Sequence, residues 1–287
     1  MKLPYFPYRL SIDSINYTMV ARPTTTVMAD LFILRDVLIN ETYKDVLRLL
    51  PKRKIRVLDI GANIGSFTIW MDKKHGIQEA FCFEPEENSF QLLNLNLALN
   101  RCISVKSVPC AIGGQSRRVP LALKQSSPGG TSIYSDSNKN ANASSISVVA
   151  LEEWLTRVDG KFDLLKMDCE SAEWEIIEKN SPEIFKRFPV VLAEIHYDPL
   201  HNRPPEAFRS LMENLGYEAG VSTILGRANR KSNRFFLPRL PVNTWDDPQL
   251  LRAKLEGGYD WLHWPQLLKK SIFHNTTVMQ RASKVQA

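Results

Sequence analysis

The sequence predicts an α/β fold, a doubly wound and mainly parallel sheet with helices on both faces. Three observations carry this. Ile55–Phe67 (IRVLDIGANIGSF) is a short apolar strand, a glycine-bearing turn and the start of an apolar helix. Further short apolar runs at Ala80–Glu84, Ile103–Val108, Phe162–Met167 and Val190–Ile195 alternate with stretches of helical periodicity. Most of these runs end at a polar residue: Asp59, Glu84, Asp168 and Glu194. Around this core the sequence adds N-terminal helices, a hairpin insertion and a C-terminal helical and aromatic extension.

In order, residues 1–25 are rich in proline and aromatics (Pro4, Tyr5, Phe6, Pro7, Tyr8) and suit an irregular arm or a short strand pair. From Thr25 to Leu50 the pattern is helical. Met28, Leu31, Phe32, Val37 and Leu38 form one stripe, Tyr43, Val46, Leu47 and Leu50 a second, and Pro51 stops it. Residues 1–50 thus form an arm and helical cap, 51–240 the core domain with an insertion at 115–149, and 241–287 the extension.

In the turn after the first core strand, Gly61, Asn63 and Gly65 let the backbone adopt positive φ, and Asn is the side-chain-bearing residue best suited to replace a glycine there. The helix behind it offers free N–H groups and a partial positive charge. A P-loop would need a lysine after Gly65, and a dinucleotide fingerprint would need glycines where Asn63 and Ser66 stand. What fits is a nucleoside cofactor without a pyrophosphate. An ordinary βα turn would need the same glycines for geometry alone, but the later stretches favour a binding site. Glu84 ends the second strand, where such folds place a carboxylate that accepts both ribose hydroxyls. Cys110–Gly114 follows the third strand as a candidate adenine wall, with Ala111 in it.

Residues 115–149 lack helical periodicity and read as hairpin strands at Val119–Leu123, Ser132–Tyr134 and Ile146–Val149; Gly129-Gly130-Thr131-Ser132 is either a substrate loop or a solvent hairpin. Helices are expected at Val149–Arg157, Ala172–Glu178 and Pro204–Leu215. Tyr217–Thr223 and Arg234–Leu237 read as an antiparallel closing pair. Beyond 241 the aromatics Tyr259, Trp261, Trp264 and Phe273 suit a helical cap or a dimer contact, which is compatible with a homo-oligomer, and the last dozen residues look frayed.

Composition narrows the function. With 44% hydrophobic and 24% charged residues the chain is globular. No apolar run reaches transmembrane length, and the first residues lack the continuous apolar stretch of a signal peptide, so a cytoplasmic protein is expected. Cys82, Cys102, Cys110 and Cys169 show no C-x-x-C spacing, which favours buried reduced thiols over a disulfide frame or metal cluster. The net charge of +6 and pI of 9.1 admit an anionic partner. The basic residues are spread apart, however, except at Lys52-Arg53-Lys54 and Arg227–Arg234, which argues against a nucleic-acid face.

Val57–Gly65 (VLDIGANIG), Phe83-Glu84-Pro85, Leu165–Glu173 (LKMDCESAE) and Glu194-Ile195-His196 together resemble the FkbM family of S-adenosylmethionine-dependent methyltransferases. Many methyltransferases share the first motif; the K-x-D-x-E-x-A-E stretch is the more specific one. The resemblance implies a class I, Rossmann-like sheet of seven strands, S-adenosylmethionine as cofactor, and methyl transfer to a hydroxyl of a small molecule or saccharide. It implies cofactor contacts at Asp59, Gly61, Asn63, Gly65, Glu84, Ala111 and Asp168. A hydroxyl acceptor must lose its proton, and His is the usual base near neutral pH. His196 is the expected base, with Asp168 or Glu194 orienting it or the substrate. No short metal motif is present; Asp168, Glu170 and Glu194 are the residues that would ligate Mg²⁺ or Mn²⁺. Ser171 stands where the family has glycine, at a cost of about 1 kcal/mol if the backbone there needs positive φ. A serine can also cap the following helix, and the turn would then close differently.

Two alternatives remain. The basic pI is compatible with an RNA methyltransferase, although the D/N-P-P-Y/F/W motif of amino-group methylation is replaced by Asp168-Cys169-Glu170-Ser171. A cofactor-binding scaffold without catalysis would use the aromatic tail for protein contacts.

Overall fold

The computed structural model describes residues 6–22, 29–120, 122–123, 131–132, 145–195, 207–225, 237–239, 249, 252 and 275–281. The chain divides into two units, Met1–Phe188 and Pro189–Ala287.

The first unit opens with a hairpin, β1 (Phe6–Ile12) and β2 (Ile15–Ala21). Asp13 and Ser14 link them at φ 49° and 64°, the left-handed pair that a two-residue hairpin turn requires. This is the strand pair expected in the arm. Helix α1 (Ala29–Leu34) runs into a wide π-turn over Arg35–Ile39, and Lys44–Leu49 winds as a 3₁₀ helix. The two predicted stripes therefore belong to short irregular turns. Val37, Leu38, Val46 and Leu50 are buried, whereas Phe32 and Ile39 are exposed.

The core of this unit is a parallel sheet of β3 (Ile55–Ile60), β4 (Ile77–Phe83), β5 (Val105–Val108) and β11 (Leu164–Met167). Its order is β5-β4-β3-β11. Chain order runs outward from β3 to β5 and then returns to the other side of β3. The reversal between β3 and β11 is the switch point beside which open α/β sheets bind ligands.

Helix α2 (Ser66–Lys74) follows β3, and α3 (Glu87–Leu99) follows β4. The pleat assigns the faces. Lys166, Asp59 and Cys82 lie side by side across β11, β3 and β4, and the Thr68 hydroxyl of α2 contacts both Asp59 and Cys82. The alternate residues Phe81 and Phe83 meet Trp154 edge-on at 4.8 and 4.9 Å. Trp154 belongs to α4 (Leu151–Leu155), so helices cover both faces. Each such buried aromatic contributes roughly 1.5–3 kcal/mol through apolar burial.

Between β5 and α4 the chain forms β6 (Ala111–Gly113), β7 (Arg117–Pro120), β8 (Ala122–Leu123), β9 (Thr131–Ser132) and β10 (Ser145–Ala150). β10 pairs with β6 in parallel and with β7 antiparallel, and β8 pairs with β9. Ala111, Ile146, Val148 and Val119 form a small core there. Gly129 and Gly130 lie outside the described residues, as does the polar stretch 133–144. Helix α5 (Ala172–Lys179) follows β11.

The second unit contains β12 (Val190–Ile195), α6 (Phe208–Asn214), β13 (Tyr217–Leu225), β14 (Leu237–Arg239) and β15 (Asn275–Arg281). Its strands run β14-β13-β15-β12. Two features differ from the sequence expectation. β13 and β14 pair in parallel, not antiparallel; an alternating apolar pattern sets which face is buried but carries no direction. The stretch expected to fray contains β15, which lies antiparallel to both β12 and β13. Thr276, Thr277 and Val278 are β-branched residues suited to a strand. Among the described residues no helix is long and apolar enough to cross a membrane.

Candidate active site

A cleft opens at the carboxyl ends of the parallel strands, where open α/β sheets bind their ligands. Backbone hydrogen bonds hold its rim. The N–H groups of Gly61 and Ala62 donate to the Phe83 carbonyl at 3.0 and 2.9 Å, Glu84 N–H to Val108 at 3.2 Å, and Asp168 N–H to Ile60 at 3.0 Å.

The turn after β3 has the predicted conformations. Gly61, Asn63 and Gly65 have φ of 80°, 50° and 88°. Gly65 meets α3 closely: a Cβ there would fall 2.8 Å from Leu93 Cδ1. Gly65 therefore shapes the turn from outside the cleft wall, whereas Gly61 and Asn63 line it.

Glu84 lines the cleft and is buried. Its carboxylate accepts the N–H of Asn63 at 2.9 Å on one oxygen and that of Glu86 at 2.8 Å on the other. Burial pushes the Glu84 carboxyl up to about 7, against the pull of those two N–H donors. The N–H donor at Glu86 is itself fixed, because the Glu86 side chain caps α3 by accepting from the N–H groups of Asn88 and Ser89 at 3.0 and 2.7 Å. The wall around Glu84 is apolar: Ile60, Phe83, Pro85, Ala111 and Ile112.

Asp168 lines the opposite side with Cys169, Glu170 and Ala172. Next to it stands Lys166, buried, a residue without an expected role. Its ammonium donates to the Gly61 carbonyl at 2.8 Å and lies 3.3 Å from Asp59 and 3.5 Å from Asp168. Burial alone would depress the Lys166 ammonium; the Asp59 and Asp168 charges outweigh it and raise the pKa. A lysine inside the otherwise apolar run Leu164-Leu165-Lys166-Met167 was the available signal, since a charge in an interior strand requires a partner.

Asp59 itself does not reach the cleft. It is fully buried on the α2 side, accepting from Thr68 at 2.6 Å and facing Lys166. Strand alternation explains this, because Asp59 points away from the face that its neighbour Ile60 presents to the cleft. Of the expected cofactor contacts, Gly61, Asn63, Glu84, Ala111 and Asp168 are brought together, while Asp59 and Gly65 stand behind them.

Glu170 and Ser171 have φ of 52° and 87°. Ser171 thus takes the glycine-type conformation, and its side chain makes no capping hydrogen bond to α5. Glu194 is the penultimate residue of β12 in the second unit, opposite Thr276. His196 lies outside the described residues. Among the described residues no group of three or more His, Cys, Asp or Glu side chains is arranged to hold a metal ion.

The family model of the methyltransferase FkbM domain matches residues 59–219, more than half of the chain. Methyltransferase sdnD of Sordaria araneosa is 24% identical over 242 residues, covering 74% of this chain and 89% of that protein. Methyltransferase 1 of Beauveria bassiana (strain ARSEF 2860) is 24% identical over 199 residues, covering 63% and 78%. Among solved structures, methyltransferase FkbM of Methylobacillus flagellatus KT shares 13% identity at a TM-score of 0.40, over 66% of this chain and 48% of that one, so the chain spans about half of its length. The chain belongs to the FkbM family of methyltransferases.

Proposed function

We propose that this protein transfers the methyl group of S-adenosylmethionine to a hydroxyl of a small molecule or saccharide. The observation that carries the cofactor reading is Glu84, a carboxylate at the strand-end cleft with each oxygen oriented by one backbone N–H. Its remaining lone pairs suit two ribose hydroxyls. Phe83, Pro85, Ala111 and Ile112 offer apolar surface to a flat base. Asn63 Oδ1 is a buried acceptor with no hydrogen-bond partner among the described residues, as fits a site built for a donor on a ligand. The cofactor supplies an electrophilic methyl on a sulfonium, and displacement at it needs mainly in-line positioning.

The residues toward the acceptor are polar. Asp168 lines the same cleft, with the Lys166 ammonium 3.5 Å behind it. A carboxylate so held can take the hydrogen bond of an incoming hydroxyl. The sequence gives the proton-accepting role to His196, which stands just past β12.

Calorimetric titration with S-adenosylmethionine and S-adenosylhomocysteine, with NAD as control, tests the cofactor reading. Micromolar binding of the adenosyl ligands alone is expected, and silence toward both overturns it. A methyl-transfer screen then tests the acceptor class: turnover of hydroxylated compounds is expected, and turnover of amines alone would sink the oxygen assignment.

A further inference from the structure

We propose that Arg22 is a positioning residue for the cofactor site, through which the N-terminal arm sets the Glu84 carboxylate. Arg22 lies outside the matched family region and follows β2. It is 8% exposed, and its backbone N–H, Nε and Nη2 all donate to the Asp30 carboxylate, at 2.8, 3.0 and 2.8 Å. Asp30 is 2% exposed. The remaining nitrogen, Nη1, points toward α3, 3.4 Å from Glu86 Oε2 and 3.2 Å from Ser89 Oγ.

Those two targets matter because of where they lead. Ser89 lines the cleft. Glu86 caps α3 through its side chain and donates its own N–H to Glu84 Oε1. Glu84 and Glu86 are two carboxylates two residues apart, and the Arg22 cation beside Glu86 offsets their repulsion. A planar guanidinium with its fork on Asp30 can fix the direction of the remaining nitrogen, which a lysine cannot do. The chain of contacts therefore runs Asp30, Arg22, Glu86, Glu84.

The arm has a separate attachment. Asn96 of α3 hydrogen-bonds both the N–H and the carbonyl of Val20, and Asn100, which caps the end of α3, does the same for Thr18. Removing the guanidinium leaves these four hydrogen bonds in place but strands the buried Asp30 carboxylate, so a second variant that keeps the Arg22–Asp30 pair is needed.

The inference rests on the cofactor reading above, and its test separates the two. The dissociation constants of S-adenosylhomocysteine and its 2′-deoxyribose analogue are measured on the full chain. Since Glu84 would accept the missing hydroxyl, the unaltered protein should prefer the ribose form by about tenfold or more. Arg22→Met should reduce this preference to about twofold or less, with Arg22→Lys between the two. Glu86→Gln, which keeps the Arg22–Asp30 pair, should reproduce the loss and decides the matter if Arg22→Met does not fold. A mere loss of stability would lower both affinities together and leave their ratio unchanged. An unchanged ratio in either folded variant overturns the coupling while the cofactor reading stands; no binding by the unaltered protein overturns both.

Discussion

A Cβ placed on Gly61 would fall 1.8 Å from the carbonyl oxygen of Asp168. The ends of β3 and β11 approach so closely that only a glycine passes between them, and φ of 80° adds its own restriction. Gly61→Ala must push apart the two backbones that frame the cleft. It should destabilise the protein by about 2 kcal/mol or more and lower adenosyl-ligand affinity beyond detection, as read from urea midpoints and calorimetry.

Ser171 offers the opposite experiment. At φ 87° this residue carries the cost of the left-handed conformation. Ser171→Gly should stabilise the fold by about 1 kcal/mol. A rise in Tm of about 2–4 °C would show it; a fall would mean that the serine side chain contributes more than the backbone strain costs.

Glu84 makes the site pH-dependent. Its carboxyl lies at about 7 in the folded chain against an ordinary 4.5. The folded state therefore holds this proton over a window in which the unfolded state has lost it. The stability contribution is fully present below pH 4.5 and is lost as pH rises through 7, by up to about 3 kcal/mol. Glu84→Gln should flatten that decline in urea unfolding measured across the window. Ribose hydroxyls donate to the ionised carboxylate, so affinity for S-adenosylhomocysteine should rise through pH 7, and the Gln variant should lose both the rise and most of the affinity.

Lys166 and Asp59 form a buried pair with side chains 4% and 0% exposed. Lys166→Met leaves the Asp59 charge without its counter-ion and should cost about 3–5 kcal/mol. Adding Asp59→Asn should recover part of that loss. A double variant no more stable than the single one would show that Lys166 acts through Asp168 or the Gly61 carbonyl instead, which a double-mutant cycle in urea resolves.

His196 carries the expectation for chemistry. His196→Ala should lower methyl transfer to an acceptor found by screening by about 10²-fold or more, with S-adenosylhomocysteine affinity unchanged. Equal loss of both would assign His196 to binding.

The sequence by itself determined the parallel core strands, the positive-φ turn at Gly61, Asn63 and Gly65, and Glu84 at the tip of β4. These are local properties: alternation, glycine placement and the break at Pro85 are written into adjacent residues. Tertiary structure decided what local pattern cannot encode. Asp59 meets Lys166 because β11 pairs beside β3 in this register, a partnership between distant stretches of the chain. β14 runs parallel to β13, and β15 comes from the far end of the chain to pair between β12 and β13, since strand partners are chosen over long separations. The contact from Arg22 to Glu86 spans 64 residues. Only packing reveals it, because a buried guanidinium must satisfy its donors wherever the fold brings an acceptor.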